Sequence, residues 1–317
     1  MMKVLANDGL SSAGQAALEK EGFTVITQNV EQNELIDYIN QHDIIALLVR
    51  SATQVPKELI DSCSNLQLIG RGGVGMDNID VAYAKEKGRH VINTPAASSE
   101  SVAELVFAHL FSGVRFLYDS NRSMPLEGDT NFKKLKKNYS SGIELRGKTL
   151  GIVGLGRIGQ EVAKIGLGLG MNVIGTDKYL DQVSIELKIF NGKSIDVTIE
   201  SIDFDELLKA ADFISLHVPA QDKPLITASE FKKMKRGVGI INAARGGVIK
   251  EEDLIDVLDS GHLSFAGLDT FEEEPNPNIK LLMHPKLSLS PHIGAATLEA
   301  QQRIGLELAQ QMTELLK

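Results

Sequence analysis

Cysteine is nearly missing from this sequence: Cys63 is the single thiol, and there is no tryptophan. One cysteine excludes an internal disulfide and suits a reducing compartment. Cys63 ends an amphipathic stretch with no base near it in sequence, so it reads as a packing residue rather than a nucleophile. Long apolar runs are missing too; none approaches the about eighteen residues that would span a bilayer. The start, Met1-Met2-Lys3-Val4-Leu5-Ala6-Asn7-Asp8, has neither the apolar core nor the small-residue cleavage site of a secretory signal. A cytoplasmic protein with no membrane partner is therefore expected. Positive charge is in short supply, with 33 Lys and Arg against 42 Asp and Glu and a net charge of −9. That balance argues against nucleic acid or an anionic membrane as a partner, while leaving room for a small basic pocket. There is no solenoid-period repeat and no low-complexity tract.

What remains is an ordinary globular composition, 43% hydrophobic and 24% charged over 317 residues, enough for two domains with a core each. The first hundred residues alternate strand-like runs at 4–6, 23–26, 44–49, 66–69 and 90–92 with helix-like stretches at 11–20, 33–40, 56–63 and 77–87. Strands separated by such crossovers imply a parallel sheet covered on both faces. A buried helix is expected from 99 onward, with apolar residues at helical spacing as far as Leu117 and His109 as a hydrogen-bonded core histidine. The polar stretch 121–141, with Lys133, Lys134, Lys136 and Lys137, reads as a solvated loop.

Near the middle, residues 149–159 read Thr-Leu-Gly-Ile-Val-Gly-Leu-Gly-Arg-Ile-Gly. This is a strand, a glycine turn and a helix start, with Gly154, Gly156 and Gly159 at the G-x-G-x-x-G positions. Gly154 allows the tight turn, Gly156 lets backbone approach a pyrophosphate, and Gly159 lets helix and strand pack closely. The phosphates would rest on N–H groups at the positive end of the helix. A second strand follows at 171–176 and ends in Asp177. An acid about twenty residues after the glycines accepts the ribose hydroxyls and repels a 2′-phosphate, which points to NAD. Lys178 beside it leaves some NADP tolerance open. Later strands are expected at 213–218, 238–242, 265–268 and 287–289, with helices at 204–211, 228–234 and 251–259 between them. The stretch 180–201 is poorly periodic.

Three ionisable residues follow those later strands: Arg245, Glu274 and His292. Oxidising a hydroxy acid by hydride transfer needs an arginine for its carboxylate, a base of near-neutral pKa for the hydroxyl proton, and a carboxylate to orient that base. In the first half, Gly70-Arg71-Gly72-Gly73-Val74-Gly75 follows a strand and reads as an anion nest before a helix, or as a flexible turn. Arg50 follows the run 44–49, where α/β sheets place ligands; it reads as an anion clamp or as a surface arginine paired with an acid.

Taken in order, the stretches 151–159, 242–247, 268–275 and 291–294 resemble the D-2-hydroxyacid dehydrogenase family over essentially the whole chain. The resemblance implies an α/β protein of two doubly wound parallel-sheet domains. A Rossmann NAD-binding domain, 99–292, would be inserted into a discontinuous flavodoxin-like substrate domain made of 1–98 and 293–317. It implies that Arg245 binds the substrate carboxylate, that His292 is the acid/base and that Glu274 is its partner. Cofactor contacts would come from Val74, Gly154, Gly156, Arg157, Ile158, Gly159, Asp177, His217, Pro219, Ala243, Asp269, His292, Gly294 and Ala295. Asp269 would face the nicotinamide carboxamide, and His217 would be a wall residue rather than a second base. Residues 49–53 and 70–80 look most like D-3-phosphoglycerate dehydrogenases, which puts Arg50, Val74 and Gly75 on the substrate. The substrate implied is 3-phospho-D-glycerate, at the first step of serine biosynthesis. The alternatives are a glyoxylate or hydroxypyruvate reductase, or a cofactor-sensing co-repressor of the same fold. The resemblance also implies a homodimer through the NAD-binding domain, and no metal is expected. In one respect the chain departs from many phosphoglycerate dehydrogenases: it ends just after the returning helix, so their C-terminal regulatory domains are expected to be absent.

Overall fold

The computed structural model describes residues 2–189 and 192–317. The chain forms two compact units, Met1–Ser101 with Ala295–Lys317, and Val102–Gly294. The first opens with β1 (Met2–Ala6), α1 (Ser12–Lys20), β2 (Phe23–Ile26), α2 (Leu35–Gln41), β3 (Ile44–Val49), α3 (Lys57–Ser62), β4 (Leu68–Arg71), α4 (Val81–Glu86) and β5 (His90–Asn93). All five strands are parallel in the order β2-β1-β3-β4-β5. The pleat sends Leu5, Leu47 and Ile69 into one core layer and Val4, Ala46, Leu48 and Leu68 into the other. Burial on both faces is why β3 is apolar at every position instead of alternating. The fourth helix starts later than the expected 77, because Asp80 accepts the Tyr83 N–H at 3.1 Å and so caps it.

Next come α5 (Ser99–Val114), α6 (Leu117–Glu127), α7 (Phe132–Asn138), β6 (Thr149–Val153), α8 (Arg157–Gly168), β7 (Asn172–Thr176), β8 (Gln182–Lys188) and β9 (Ser194–Glu200). The second unit is completed by α9 (Phe204–Ala210), β10 (Phe213–Leu216), α10 (Ala228–Lys233), β11 (Val238–Asn242), α11 (Glu251–Asp259), β12 (Leu263–Leu268), α12 (Ile279–Leu282) and β13 (Leu287–Leu289). Its main sheet is parallel throughout, in the order β13-β12-β11-β10-β6-β7. From β6 the chain steps outward to β7 and then returns across β6 to β10. The glycine turn after β6 therefore lies at the switch point where open α/β sheets bind ligands.

Three expectations are corrected here. The apolar stripe to Leu117 is not one helix: α5 stops at Val114, and Phe116 turns the chain with a left-handed φ of 55°. The stretch 121–141 is helical rather than a loop, and its lysines lie on α7, where Leu135 alone of the helix is buried. The stretch 180–201 is an antiparallel hairpin, β8 with β9. Val183, Ile185 and Ile199 join the core beside α8, while Ile195, at the same period of two as Ile199, stays exposed. Residues 190 and 191 of that stretch lie outside the described residues.

The last helix, α13 (Leu298–Leu316), returns to the first unit. Thr297 caps it by accepting the Ala300 N–H at 3.1 Å. Ile304, Leu308 and Met312 then enter the core layer that holds Val4 and Leu48. A Cβ on Gly14 of α1 would lie 2.6 Å from the Gly305 Cα, so these two helices touch backbone to backbone.

Candidate active site

In the second unit, Gly154 turns the chain with φ 99°, which disfavours an L side chain, and a Cβ there would lie 2.6 Å from the His217 carbonyl oxygen. Gly159, on the first turn of α8, faces the Gly154 carbonyl with no room for a side chain. Gly156 is different: a Cβ there would meet nothing within 4 Å, and the residue is exposed. Two glycines thus fit this chain to itself, and the third leaves open space in front of a helix N-terminus. Arg157 is exposed and Ile158 half-buried on that first turn, whose N–H groups have no partner inside the helix. This arrangement fits a pyrophosphate.

Asp177 follows β7 and is tied to the glycine turn. Its Oδ2 accepts the Leu155 N–H at 2.7 Å, and its Oδ1 accepts those of Tyr179 at 2.9 Å and Leu180 at 3.2 Å. A carboxylate has about four acceptor positions, so capacity remains for a ribose hydroxyl. Its own N–H donates to the Ser201 hydroxyl at 2.9 Å, at the foot of the hairpin. The sequence reading missed Ser201, because its partner lies across that hairpin. His217 follows β10 with Nε2 at 2.8 Å from the Ser215 hydroxyl and a buried Nδ1 that has no partner. Desolvation pushes its pKa down to about 3, so the ring is neutral near pH 7 and a weak proton acceptor. Pro219, two residues on, is exposed.

The loops after β11, β12 and β13 come together. Asn242 shapes the first: its Oδ1 accepts the Ala244 N–H at 3.1 Å and its Nδ2 donates to the Arg245 carbonyl at 2.9 Å. Ala243 is buried beside it. Arg245 is half-buried, with Nη1 donating to the Ala244 carbonyl at 2.6 Å. Gly246 has no room for a Cβ against the Phe271 carbonyl, which presses this loop onto the next. There, Glu274 uses both oxygens: Oε1 accepts the Phe271 N–H at 3.0 Å and Oε2 lies 2.8 Å from His292 Nδ1. The carboxylate only accepts, so Nδ1 carries a proton, and in the neutral ring Nε2 keeps its lone pair. His292 and Glu274 are both exposed, and His292 is left-handed at φ 53°. Asp269, 1% exposed, holds the following backbone by accepting the Ile293 N–H at 2.8 Å and the Gly294 N–H at 2.9 Å.

In the first unit, Arg50 is held by its backbone. Its N–H donates to Asp8 Oδ2 at 2.6 Å, and its carbonyl accepts from Asn78 Nδ2 at 2.8 Å. Asp8 also accepts from the Thr53 hydroxyl at 2.6 Å. Asp8 and Asn78 were missed as site-shaping residues, although Asp8 stands just past β1, at the sheet's carboxyl end. Among the described residues the Arg50 guanidinium has no hydrogen bond or ion pair, so the paired-arginine alternative is not what the structure shows. The glycine nest is narrower than expected. Gly72 N–H donates to Val49 and Gly73 N–H to Arg71, while those of Val74 and Gly75 have no backbone acceptor among the described residues. No helix dipole stands behind them, since α4 begins only at Val81. Ala295 opens the chain's return to this unit, with its carbonyl accepting from Gln301 Nε2 at 2.8 Å.

A parallel six-stranded sheet with a glycine turn and an acidic strand tip at its switch point defines a dinucleotide-binding protein. Comparison with known proteins narrows this. The description "D-isomer specific 2-hydroxyacid dehydrogenase, NAD binding domain" matches residues 107–294. A hydroxypyruvate reductase of Thermotoga maritima is 42% identical over 98% of this chain and 97% of its own length. A D-3-phosphoglycerate dehydrogenase of Methanocaldococcus jannaschii is 40% identical over 100% of this chain, which spans 58% of that relative. Among solved structures, a glyoxylate reductase from Paecilomyes thermophila aligns with TM-score 0.82 and 29% identity, over 99% of this chain and 95% of that one. The chain belongs to the D-isomer-specific 2-hydroxyacid dehydrogenase family, whose cofactor is NAD. Among the described residues no helix is long and apolar enough to cross a membrane.

Proposed function

We propose that this enzyme oxidises 3-phospho-D-glycerate, or reduces the matching keto acid, with His292 as the proton-transferring residue. The observation that carries the chemistry is the pairing of His292 Nδ1 with Glu274 at 2.8 Å, which leaves Nε2 to take the C2 hydroxyl proton. Bound NAD would supply the hydride acceptor, held by the turn 154–159 and Asp177, with Asp269 facing its carboxamide. Arg245 would hold the substrate carboxylate with its planar fork. In reduction, protonated His292 returns the proton to the forming alkoxide while Arg245 keeps its grip.

The phosphate assignment rests on Arg50 and on the N–H groups of Val74 and Gly75: among the described residues the guanidinium has no protein partner and these N–H groups have no backbone acceptor. A second reading, hydroxypyruvate or glyoxylate reduction, is favoured by the Thermotoga relative, which matches over nearly all of both chains. NADH absorbance with phosphohydroxypyruvate, hydroxypyruvate and glyoxylate, repeated with NADPH, separates the two. A kcat/KM at least tenfold higher on the phosphorylated acid supports the first reading; the reverse order establishes the second. We further propose a cytoplasmic homodimer, built through the second unit. The support is α6, which buries none of its residues in this chain and exposes Leu117, Met124 and Leu126. Light scattering of Leu126→Asp against the native chain tests it.

A further inference from the structure

The second unit holds a buried polar chain that neither the glycine turn nor the His292–Glu274 pair uses. It starts on α5 at His109, 4% exposed. The ring's Nδ1 lies 2.8 Å from the Ser288 hydroxyl and its Nε2 lies 2.8 Å from the Ser290 hydroxyl. Ser290 in turn donates to Asp269 Oδ1 at 2.6 Å, and Asp269 also receives the N–H groups of Ile293 and Gly294. Gly267 makes the room, since a Cβ there would lie 2.7 Å from the His109 Cβ.

The direction of every proton in this chain follows from its end. A carboxylate accepts, so the Ser290 hydroxyl spends its single proton on Asp269, and its oxygen must then accept from His109 Nε2–H. Burial lowers the pKa of His109, with the nearby Asp269 charge opposing, so the ring is neutral and holds only that one proton. Nδ1 is left as an acceptor for the Ser288 hydroxyl. Ser288, His109 and Ser290 therefore all donate toward Asp269, and bonds aligned in this way reinforce one another.

We infer that His109 is a positioning residue, which acts through Ser290 to fix the Asp269 carboxylate and, with it, the backbone that carries His292. The inference rests on the proposed roles of Asp269 and His292. His292 sits at φ 53°, a conformation that persists only where its surroundings over-determine it. Its own N–H donates to the Ser290 carbonyl at 3.1 Å, and the next two N–H groups both end on Asp269. Ser290 and Asp269 thus hold three successive backbone groups, and His109 holds Ser290.

The test compares His109→Leu, Ser290→Ala, the double variant and His109→Gln, whose amide offers an NH2 donor group and a carbonyl acceptor. For each, kcat, NADH affinity by cofactor fluorescence and Tm are measured. Loss of the bond toward a charged group is expected to lower kcat about tenfold in either single variant. The double variant should be no worse than one single variant, and His109→Gln should recover most of the turnover. In the native chain, imidazole nitrogen shifts should show a neutral His109 protonated on Nε2. A lowered Tm with native kcat and NADH affinity, losses that multiply in the double variant, or a proton on Nδ1 would each overturn the inference. If the native chain turns over no 2-hydroxy acid, it is the proposed function that fails; the tautomer and the NADH affinities still judge the relay.

Discussion

The two units hold their candidate residues in opposite ways. In the second, the side chains themselves are fixed: Glu274 has a partner on each oxygen, His292 is bonded through Nδ1, and Asp269 takes three hydrogen bonds. In the first, Asp8 and Asn78 fix only the backbone of Arg50, and its guanidinium is left without a protein partner. The difference fits two kinds of task. A proton transfer needs its acceptor atom placed before substrate arrives, so the ring is locked in one tautomer. An anion grip gains by keeping its donors unspent until the anion supplies the acceptors.

That contrast is broken most directly at His292. His292→Asn is expected to lower kcat about a thousandfold, the range of general acid–base catalysis, while NADH affinity stays close to native. A comparable loss of NADH affinity would make the residue structural instead. The free grip is next. Arg50→Ala should cut kcat/KM for a phosphorylated 2-keto acid about thirtyfold, the scale of a lost charge-assisted contact, and leave hydroxypyruvate within about twofold. Equal losses on both would remove the phosphate from the assignment. Within the glycine turn the same contrast recurs between neighbours. Gly154→Ala meets both a φ of 99° and a carbonyl 2.6 Å away, so it should cost about 2 kcal/mol in denaturant unfolding. Gly156→Ala meets nothing and should unfold like the native chain, yet weaken NADH about tenfold by standing where the pyrophosphate must approach.

Much of this was legible in the sequence, for physical reasons that differ by residue. Strands buried on both faces, such as Ile44–Val49, announce themselves as unbroken apolar runs, and Gly154, Gly156 and Gly159 announce their turn by spacing. The hairpin Gln182–Lys188 with Ser194–Glu200 was legible too, since Val183, Ile185 and Leu187 and then Ile195, Val197 and Ile199 alternate with mostly polar residues; reading the stretch as poorly periodic overlooked that period of two. Helices α6 and α7 were hidden for a physical reason: α6 buries nothing in this chain and α7 only Leu135, so neither shows an inward stripe. At the site, the ionisable residues could be named singly, but not what holds them. Asp8 to Arg50, Ser201 to Asp177 and His109 to Ser290 are bonds between residues 24 to 181 positions apart. No local pattern encodes such a bond.

The smallest effect expected is one of stability, and it lies at His217. The half-buried His217 has Nδ1 shut from solvent and Nε2 on Ser215, and loss of solvation brings its pKa down to about 3. Its folded value lies below the unfolded one, so between the two the unfolded chain binds the extra proton. Stability therefore rises with pH across that window, and falls as pH drops below about 6.5. The slope from this one group is at most about 1.4 kcal/mol per pH unit. His217→Gln should flatten that part of the profile in denaturant titrations between about pH 6.5 and 4.5, where the native chain loses stability. A profile unchanged in the variant would mean that the ring keeps its solvation on folding, and the ground for setting His217 apart as a wall residue would be lost.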